Sequence, residues 1–211
     1  MTAEENHRAA FLRAFNVSRE TTERLDQYAA LLEKWNPAIN LVAPSTLKSL
    51  WQRHFMDSAQ ILDLAPKTTR TWVDLGTGGG FPGLIVAILA SEKRPMIRVT
   101  CVESDLRKAT FLRTVLRETG VDGTVVSKRI EETLPLGADV VSSRALAPLP
   151  NLLGLTVRHL APTGCALLQK GEGYKKEVAE ALDKWSFTME VFPSKTSVNA
   201  VTLKLGDIQS V

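Results

Sequence analysis

The residues best suited to chemistry stand together. In D-L-G-T-G-G-G-F-P-G, residues 74–83, Asp74 precedes glycines at the alternate positions Gly76, Gly78 and Gly80. Glycines in such a run let backbone N–H groups approach a ligand closely. A carboxylate beside them repels a pyrophosphate and attracts a cationic group. Gly78, Gly80 and Gly83 also satisfy G-x-G-x-x-G. In the dinucleotide fingerprint, however, the first glycine directly follows the strand, and here Gly76 and Thr77 intervene. No Gly-Lys-Ser/Thr follows, so the run is not a Walker phosphate loop. S-adenosylmethionine has an ammonium, a sulfonium and no phosphate, and it matches an acidic residue next to close-approach glycines. Glu103, at the end of the next expected strand, is placed to accept hydrogen bonds from ribose hydroxyls, as either an S-adenosylmethionine or a dinucleotide reading requires.

Other chemistries lack their groups. Methylation of an exocyclic amine usually involves an Asn/Asp-Pro-Pro-aromatic cluster after the fourth strand, where this chain reads V-V-S-S-R-A-L-A-P-L. Methylation of a pyrimidine carbon needs a cysteine thiolate, but Cys101 and Cys165 lie inside expected strands and read as buried free thiols. Guanine N7 offers a lone pair and no proton, so transfer there needs alignment and no side-chain base. His54, Asp57 and Ser58 crowd one expected helix and cannot form a relay triad. His54 and Asp57 are expected to pair at i, i+3 and brace a junction, beside an equally weighted RNA or cofactor-lid role. No histidine has cysteine or carboxylate neighbours at metal-ligand spacing, and no metal is expected.

The elements that must position these residues follow from hydrophobic periodicity. Leu25, Tyr28, Leu32 and Trp35 mark an amphipathic helix from Ser18, the expected N-cap, to Trp35, with Asn36-Pro37 as its stop. A second helical stretch is expected over about residues 46–64. Beyond Pro66, β-rich and helical runs alternate, predicting a doubly wound, mostly parallel α/β sheet of the Rossmann-like type. The expected runs are 71–75, 82–90, 97–103, 106–119, 124–127, 140–143, 151–160, 165–169 and 174–185, with 187–192 and 198–205 as an antiparallel pair on one edge. Residues 1–65 are therefore expected to form an N-terminal helical extension packed on a single unit of residues 66–211. With 211 residues and a net charge of +3, the chain suits one substantial core and is only mildly basic. Its polar N-terminus lacks a signal-peptide pattern and no run approaches membrane-spanning length, so a cytoplasmic protein is expected.

Several stretches together resemble one family, the bacterial small-subunit rRNA guanine-N7 methyltransferases, also called glucose-inhibited division protein B. They are W-N-P-A-I-N-L-V (35–42), R-H-F-M-D-S (53–58), the glycine run, R-K-A-T-F-L (107–112), S-S-R-A (142–145) and Q-K-G (169–171). The resemblance implies a class I methyltransferase fold. It further implies transfer of a methyl group from S-adenosylmethionine to N7 of a guanosine in the decoding-region loop of 16S rRNA. It carries cofactor contacts onto Gly76, Phe81, Ile130, Glu131 and Arg144, in addition to Asp74, Gly78, Gly80 and Glu103. Arg144 is the one catalytic candidate, and its guanidinium suits the methionine carboxylate or an RNA phosphate.

RNA contacts are expected among Arg53, His54, Arg107, Lys108, Lys128, Arg129, Lys170, Lys175 and Lys176, scattered along the chain. The implied partner is 16S rRNA or the small ribosomal subunit, met by a monomer. Two departures stand out: residues 91–96 lengthen one connection, and Leu146 replaces an expected aromatic. Two rival readings are an NAD(P)-dependent oxidoreductase, opposed by Asp74, and a non-catalytic ribosome- or RNA-binding scaffold.

Overall fold

The computed structural model describes residues 2–211. Two helices open the chain, α1 (Ala3–Phe15) and α2 (Arg19–Ile39). The sequence reading did not delimit α1, but its start is fixed locally by a capping box in which Thr2 and Glu5 satisfy each other's backbone N–H. Helix α2 begins at Ser18 as expected, whose hydroxyl caps Thr21 N–H at 3.1 Å. It does not stop at Asn36-Pro37. Pro37 removes only one rung of the ladder; Asn40 N–H still reaches Asn36 O at 2.9 Å, and Asn36 Oδ1 takes Val42 N–H at 2.8 Å. The helix ends at Asn40, in the left-handed region at φ 49°.

The expected helix over 46–64 is instead four short pieces. They are a 3-10 segment (Pro44–Ser49), a π-helical segment (Trp51–Met56), the short α3 (Asp57–Ala59) and a second 3-10 turn (Leu62–Leu64). Tertiary demands override the single-helix preference here. Trp51 and Phe55 must both turn inward, with Trp51 edge-on to Phe11 and Phe55 stacked on Tyr28. The Trp51 N–H is meanwhile taken by Glu4 Oε1 at 2.8 Å. Such π turns are often found at functional sites.

Seven strands then alternate with helices: β1 (Thr71–Leu75), α4 (Gly83–Lys93), β2 (Arg98–Val102), α5 (Leu106–Thr119), β3 (Thr124–Val126), β4 (Ala138–Arg144), α6 (Leu149–His159), β5 (Leu160–Lys170), α7 (Tyr174–Leu182), β6 (Trp185–Pro193) and β7 (Val201–Ser210). They form one sheet in the order β3-β2-β1-β4-β5-β7-β6. The first five strands run parallel, while β7 is antiparallel to β5 and β6 to β7. The doubly wound sheet with an antiparallel edge pair is the architecture the periodicity predicts. Strand β5 starts earlier than expected because its register shifts between Ala138 and Val140, where Gly164 passes close to Ala138 O.

Helix α4 is apolar all round and buried from Gly83 to Ala90, because the sheet covers one side and α2 and α3 lie on it from the other. Phe11, Leu25, Tyr28 and Phe55 from the N-terminal segment join Trp72, Leu84 and Phe111 from the sheet layers in one apolar cluster. No helix among the described residues is long and apolar enough to cross a membrane. The strand order reverses between β1 and β4, and there the connections leave in opposite directions. A crevice opens at their carboxyl ends, the place where such sheets bind ligands.

Candidate functional site

The glycine run leaves β1 at the crevice and returns as α4. Gly76, Gly78 and Gly80 all have positive φ (64°, 58° and 102°), the conformation that makes glycine necessary there. At Gly76 the positive φ decides, since the Leu146 methyl that an added Cβ would meet at 2.5 Å is the mobile end of a half-buried side chain. The loop forms one wall of a cavity of about 580 Å³. Gly76, Gly78, Phe81, Glu103, Ile130, Glu131 and Arg144, all named from the sequence as cofactor residues, line this cavity together.

Asp74 does not face it. The side chain is fully buried beneath the loop, its Oδ2 accepting Gly83 N–H at 2.9 Å and its Oδ1 accepting the Ser142 hydroxyl at 2.7 Å. Ser142 in turn receives Trp72 Nε1–H at 2.8 Å. The carboxylate is thus a brace between the end of β1, the start of α4 and β4. Gly83 answers to this brace and not to a ligand: an added Cβ would stand 2.8 Å from Asp74 Oδ2 and 2.7 Å from Cys101 Sγ. Burial pushes the Asp74 carboxyl up to about 6, against the pull of the hydrogen bonds it accepts. The expected direct attraction between Asp74 and a cationic ligand is therefore corrected. The negative groups that do line the cavity are Glu103 and Glu131.

Gly80 is the second correction. It is absent from the cavity wall, and a Cβ there would run into Tyr28 Oη and Leu84, so its role is to let α2 close over the loop. Tyr28 Oη donates to Gly79 O at 2.6 Å in the same contact. Glu103 sits at the end of β2, nine-tenths buried, with Oε2 accepting Gly78 N–H at 2.9 Å and Oε1 accepting Asp105 N–H at 2.8 Å. Each carboxylate oxygen keeps a further lone pair for a ligand hydroxyl.

Arg144, at the end of β4, is the hub of the site. Its Nη2 lies 2.8 Å from His54 Nδ1, and its Nη1 donates to Arg53 O at 3.2 Å and to Asp57 Oδ2 at 3.3 Å. The guanidinium also lies over the Phe81 ring, 5.0 Å from its centroid. His54 and Asp57 therefore do not pair with each other at i, i+3; each turns to Arg144. Burial, followed by the charges of Arg144 and Arg53, pulls the His54 pKa down to about 3. The ring is neutral, so Nδ1 accepts from Arg144 and the Nε2–H donates to Thr46 Oγ1 at 2.8 Å. Phe81 is stacked on Tyr28 and tilted against His54, which leaves only a small part of its ring for the cavity.

Comparison with known proteins decides the family. A family model described as rRNA small subunit methyltransferase G matches residues 21–204. The chain belongs to that family. A ribosomal RNA small subunit methyltransferase G from Cereibacter sphaeroides (strain ATCC 17029 / ATH 2.4.9) is 50% identical over 92% of this chain and 94% of its own length. Another from Ruegeria sp. (strain TM1040) is 51% identical over 93% and 95%. Among solved structures the methyltransferase shares its fold with a SAM-dependent methyltransferase from Aquifex aeolicus, at TM-score 0.58 and 14% identity over 84% of this chain and 97% of that one. An O-methyltransferase from Bacillus cereus, solved with SAH, gives TM-score 0.54 and 13% identity over 90% and 92%.

The basic residues named from the sequence separate in the methyltransferase. Lys108, Lys128 and Arg129 line the cavity, and Arg53 lies beside His54 and Arg144 at a smaller neighbouring hollow. Arg107 points away, exposed and paired with Asp105 at 3.6 Å. Lys170 is buried and held by Ala147 O at 2.7 Å and Glu177 Oε2 at 2.8 Å, so it is not a free phosphate contact. Lys175 and Lys176 are exposed on α7. The sequence reading missed Leu41 and Val42, which close the cavity from the turn after α2. The signal was present in Asn36 and Asn40, which shape that turn. It also missed Ala145 and Ala147, part of the stretch after β4, whose bland side chains give no chemical hint.

Proposed function

We propose that the chain transfers a methyl group from S-adenosylmethionine to N7 of a guanosine in the decoding-region loop of 16S rRNA. It acts on 16S rRNA or on the small ribosomal subunit, in the cytoplasm and as a monomer. The observation that carries this reading is the joining of two cavities at the carboxyl ends of β1, β4 and β5. One is walled by the glycine loop, Glu103, Ile130 and Glu131, and the other meets it across the stretch Arg144–Ala147.

The residues present fit the cofactor. Gly76 and Gly78 offer close backbone approach to its methionine half, Glu103 has lone pairs for the ribose hydroxyls, and Ile130 with Glu131 flank the place for adenine. Glu103 and Glu131 supply carboxylate acceptors for the ligand's hydroxyl and ammonium groups, in a wall that Lys108, Lys128, Arg129 and Arg144 also line. When bound, S-adenosylmethionine supplies a methyl group activated on a positively charged sulfur.

The rest of the chemistry is positional. Guanine N7 has no proton to remove, so the chain has only to hold the base in line and keep water away. Neither thiol is a nucleophile: Cys101 and Cys165 are buried, and burial pushes both thiols up. Arg144, with its head among His54, Asp57 and Phe81, is a positioning residue that fixes the wall shared by the two cavities. Lys108, Lys128 and Arg129 at the cavity mouth serve the RNA backbone. Residues 1–65 act as an extension that closes the loop from outside a methyltransferase unit of residues 66–211.

The test is transfer of label from S-adenosylmethionine to small subunits that lack the modification, with the methyl group mapped along 16S rRNA. Label at N7 of a guanosine in the decoding-region loop is expected. Label at another atom, or none, would overturn the reading.

A further inference from the structure

The second cavity, about 490 Å³, has a composition that the cofactor does not explain. Its charged groups cancel in pairs. Arg144 faces Asp57 at 3.3 Å, and Lys170 faces Glu177 at 2.8 Å. A wall neutralised this way has no excess charge for a phosphate and suits an uncharged polar group.

Gln169 lines the same cavity and is only 7% exposed. It stands on β5 directly beside Arg144 of β4, near the carboxyl ends of both strands. Its Nε2 donates to Asp57 O at 2.7 Å, which fixes the amide orientation, because the flipped amide would set oxygen against oxygen. The remaining atom, Oε1, is buried and has no hydrogen-bond partner. A buried acceptor left unpaired is costly, and a donor group entering the cavity that Gln169 lines would relieve that cost. Glu177 adds acceptor character, using Oε2 for both Leu149 N–H and Lys170.

The backbone between the two cavities is strained in a way that fits. Ala145 has φ 53° without being glycine, and it lines both cavities. Such conformations persist where the surroundings over-determine them, commonly at ligand walls.

We infer that the second cavity receives the target guanine, and that Gln169 Oε1 accepts a hydrogen bond from the base's N1–H and N2-amino edge. This rests on the methyl-transfer reading proposed above. With N7 turned toward the cofactor cavity, N1–H and the N2 amino group stand side by side on the far part of the purine, between the acceptors O6 and N3, and present two adjacent donors to Gln169 Oε1. Adenine presents an acceptor at N1 and would leave Oε1 unpaired. Gln169 is thus a specificity-determining residue, reading the base by the edge that does not react.

The experiment uses small subunits reconstituted with 16S rRNA in which the target guanosine is kept, replaced by inosine (no N2 amino group) or replaced by 2-aminopurine (no N1–H). Methyl transfer is measured as kcat/KM for the wild-type chain, Gln169→Met and Gln169→Glu. The wild type should discriminate against at least one replacement by about tenfold, the size of one buried hydrogen bond. Gln169→Met should lose that discrimination, and so should Gln169→Glu, whose carboxylate sets an oxygen against Asp57 O and loses the orientation the amide holds. S-adenosylmethionine affinity of both variants, measured by calorimetry, should stay within about twofold of wild type, because Gln169 lies outside the cofactor cavity.

Equal wild-type rates on all three bases would overturn the inference without needing any variant. So would a folded Gln169→Met that keeps the wild-type preference. A wild-type chain that places no methyl on guanine N7 is a different outcome, and it overturns the proposed function itself.

Discussion

Asp74 is the clearest case of a residue whose type was informative while its direction was not. An acid before a glycine run suggested a ligand contact, but the side chain leaves β1 on the inner face and finds Gly83 N–H and Ser142 Oγ–H. Asp74→Ala would strand both donors in the core. Urea unfolding at neutral pH should show a loss of roughly 2–4 kcal/mol. His54 makes a second prediction. Its folded pKa of about 3 lies below its unfolded value of about 6.5, so the unfolded chain binds the proton more readily. The contribution is fully present above about pH 6.5 and is lost as pH falls toward 3. His54→Gln, which does not titrate, should therefore show a smaller drop in urea midpoint between pH 7.5 and pH 5 than the wild type. An identical drop would mean that His54 is not held neutral.

At the scale of elements, the glycine loop is held from outside by α2. Tyr28 donates to Gly79 O, and Gly80 has no room for a Cβ beneath Tyr28 and Leu84. Tyr28→Phe should cost about 1–2 kcal/mol for the buried hydrogen bond, measured by urea unfolding. It should also weaken S-adenosylmethionine binding a few-fold by calorimetry, since the loop loses a tether. Gly80→Ala should do more damage, through both the positive φ and the collision. The broken helical stretch over 44–64 belongs to the same device. Its π turn brings Phe55 onto Tyr28 and His54 onto Phe81 and Arg144, which a straight helix would space differently.

Across the whole molecule, the N-terminal helices and the sheet share one apolar cluster. The N-terminal helices and the sheet with its helices should accordingly unfold together, with tryptophan fluorescence and far-UV circular dichroism tracing one coincident transition. Trp35 and Trp51 report on the first part, Trp72 and Trp185 on the second. Two separated transitions would show that the extension is an independent unit. Saturating cofactor should raise the stability of that single transition by about 2.7 kcal/mol at a hundred times its Kd, because the ligand binds only the folded chain.

What the sequence alone determined was whatever local periodicity and loop chemistry encode. The strand–glycine loop–helix unit, the exact span of β1 and α5 and the antiparallel edge pair were legible, because each depends on neighbours within a few positions, while Phe81, Ile130, Glu131 and Arg144 were marked only by the resemblance to a known family. Tertiary structure decided the rest. Whether Asp74 points to ligand or core depends on which strand lies beside β1, and the fate of Lys170 depends on Glu177 of α7. The second cavity, with Gln169 beside Arg144, exists only because parallel pairing brings β4 and β5 together. Side-chain direction and charge pairing across the sheet are set by contacts between residues far apart in the chain, and no window of local sequence carries that information.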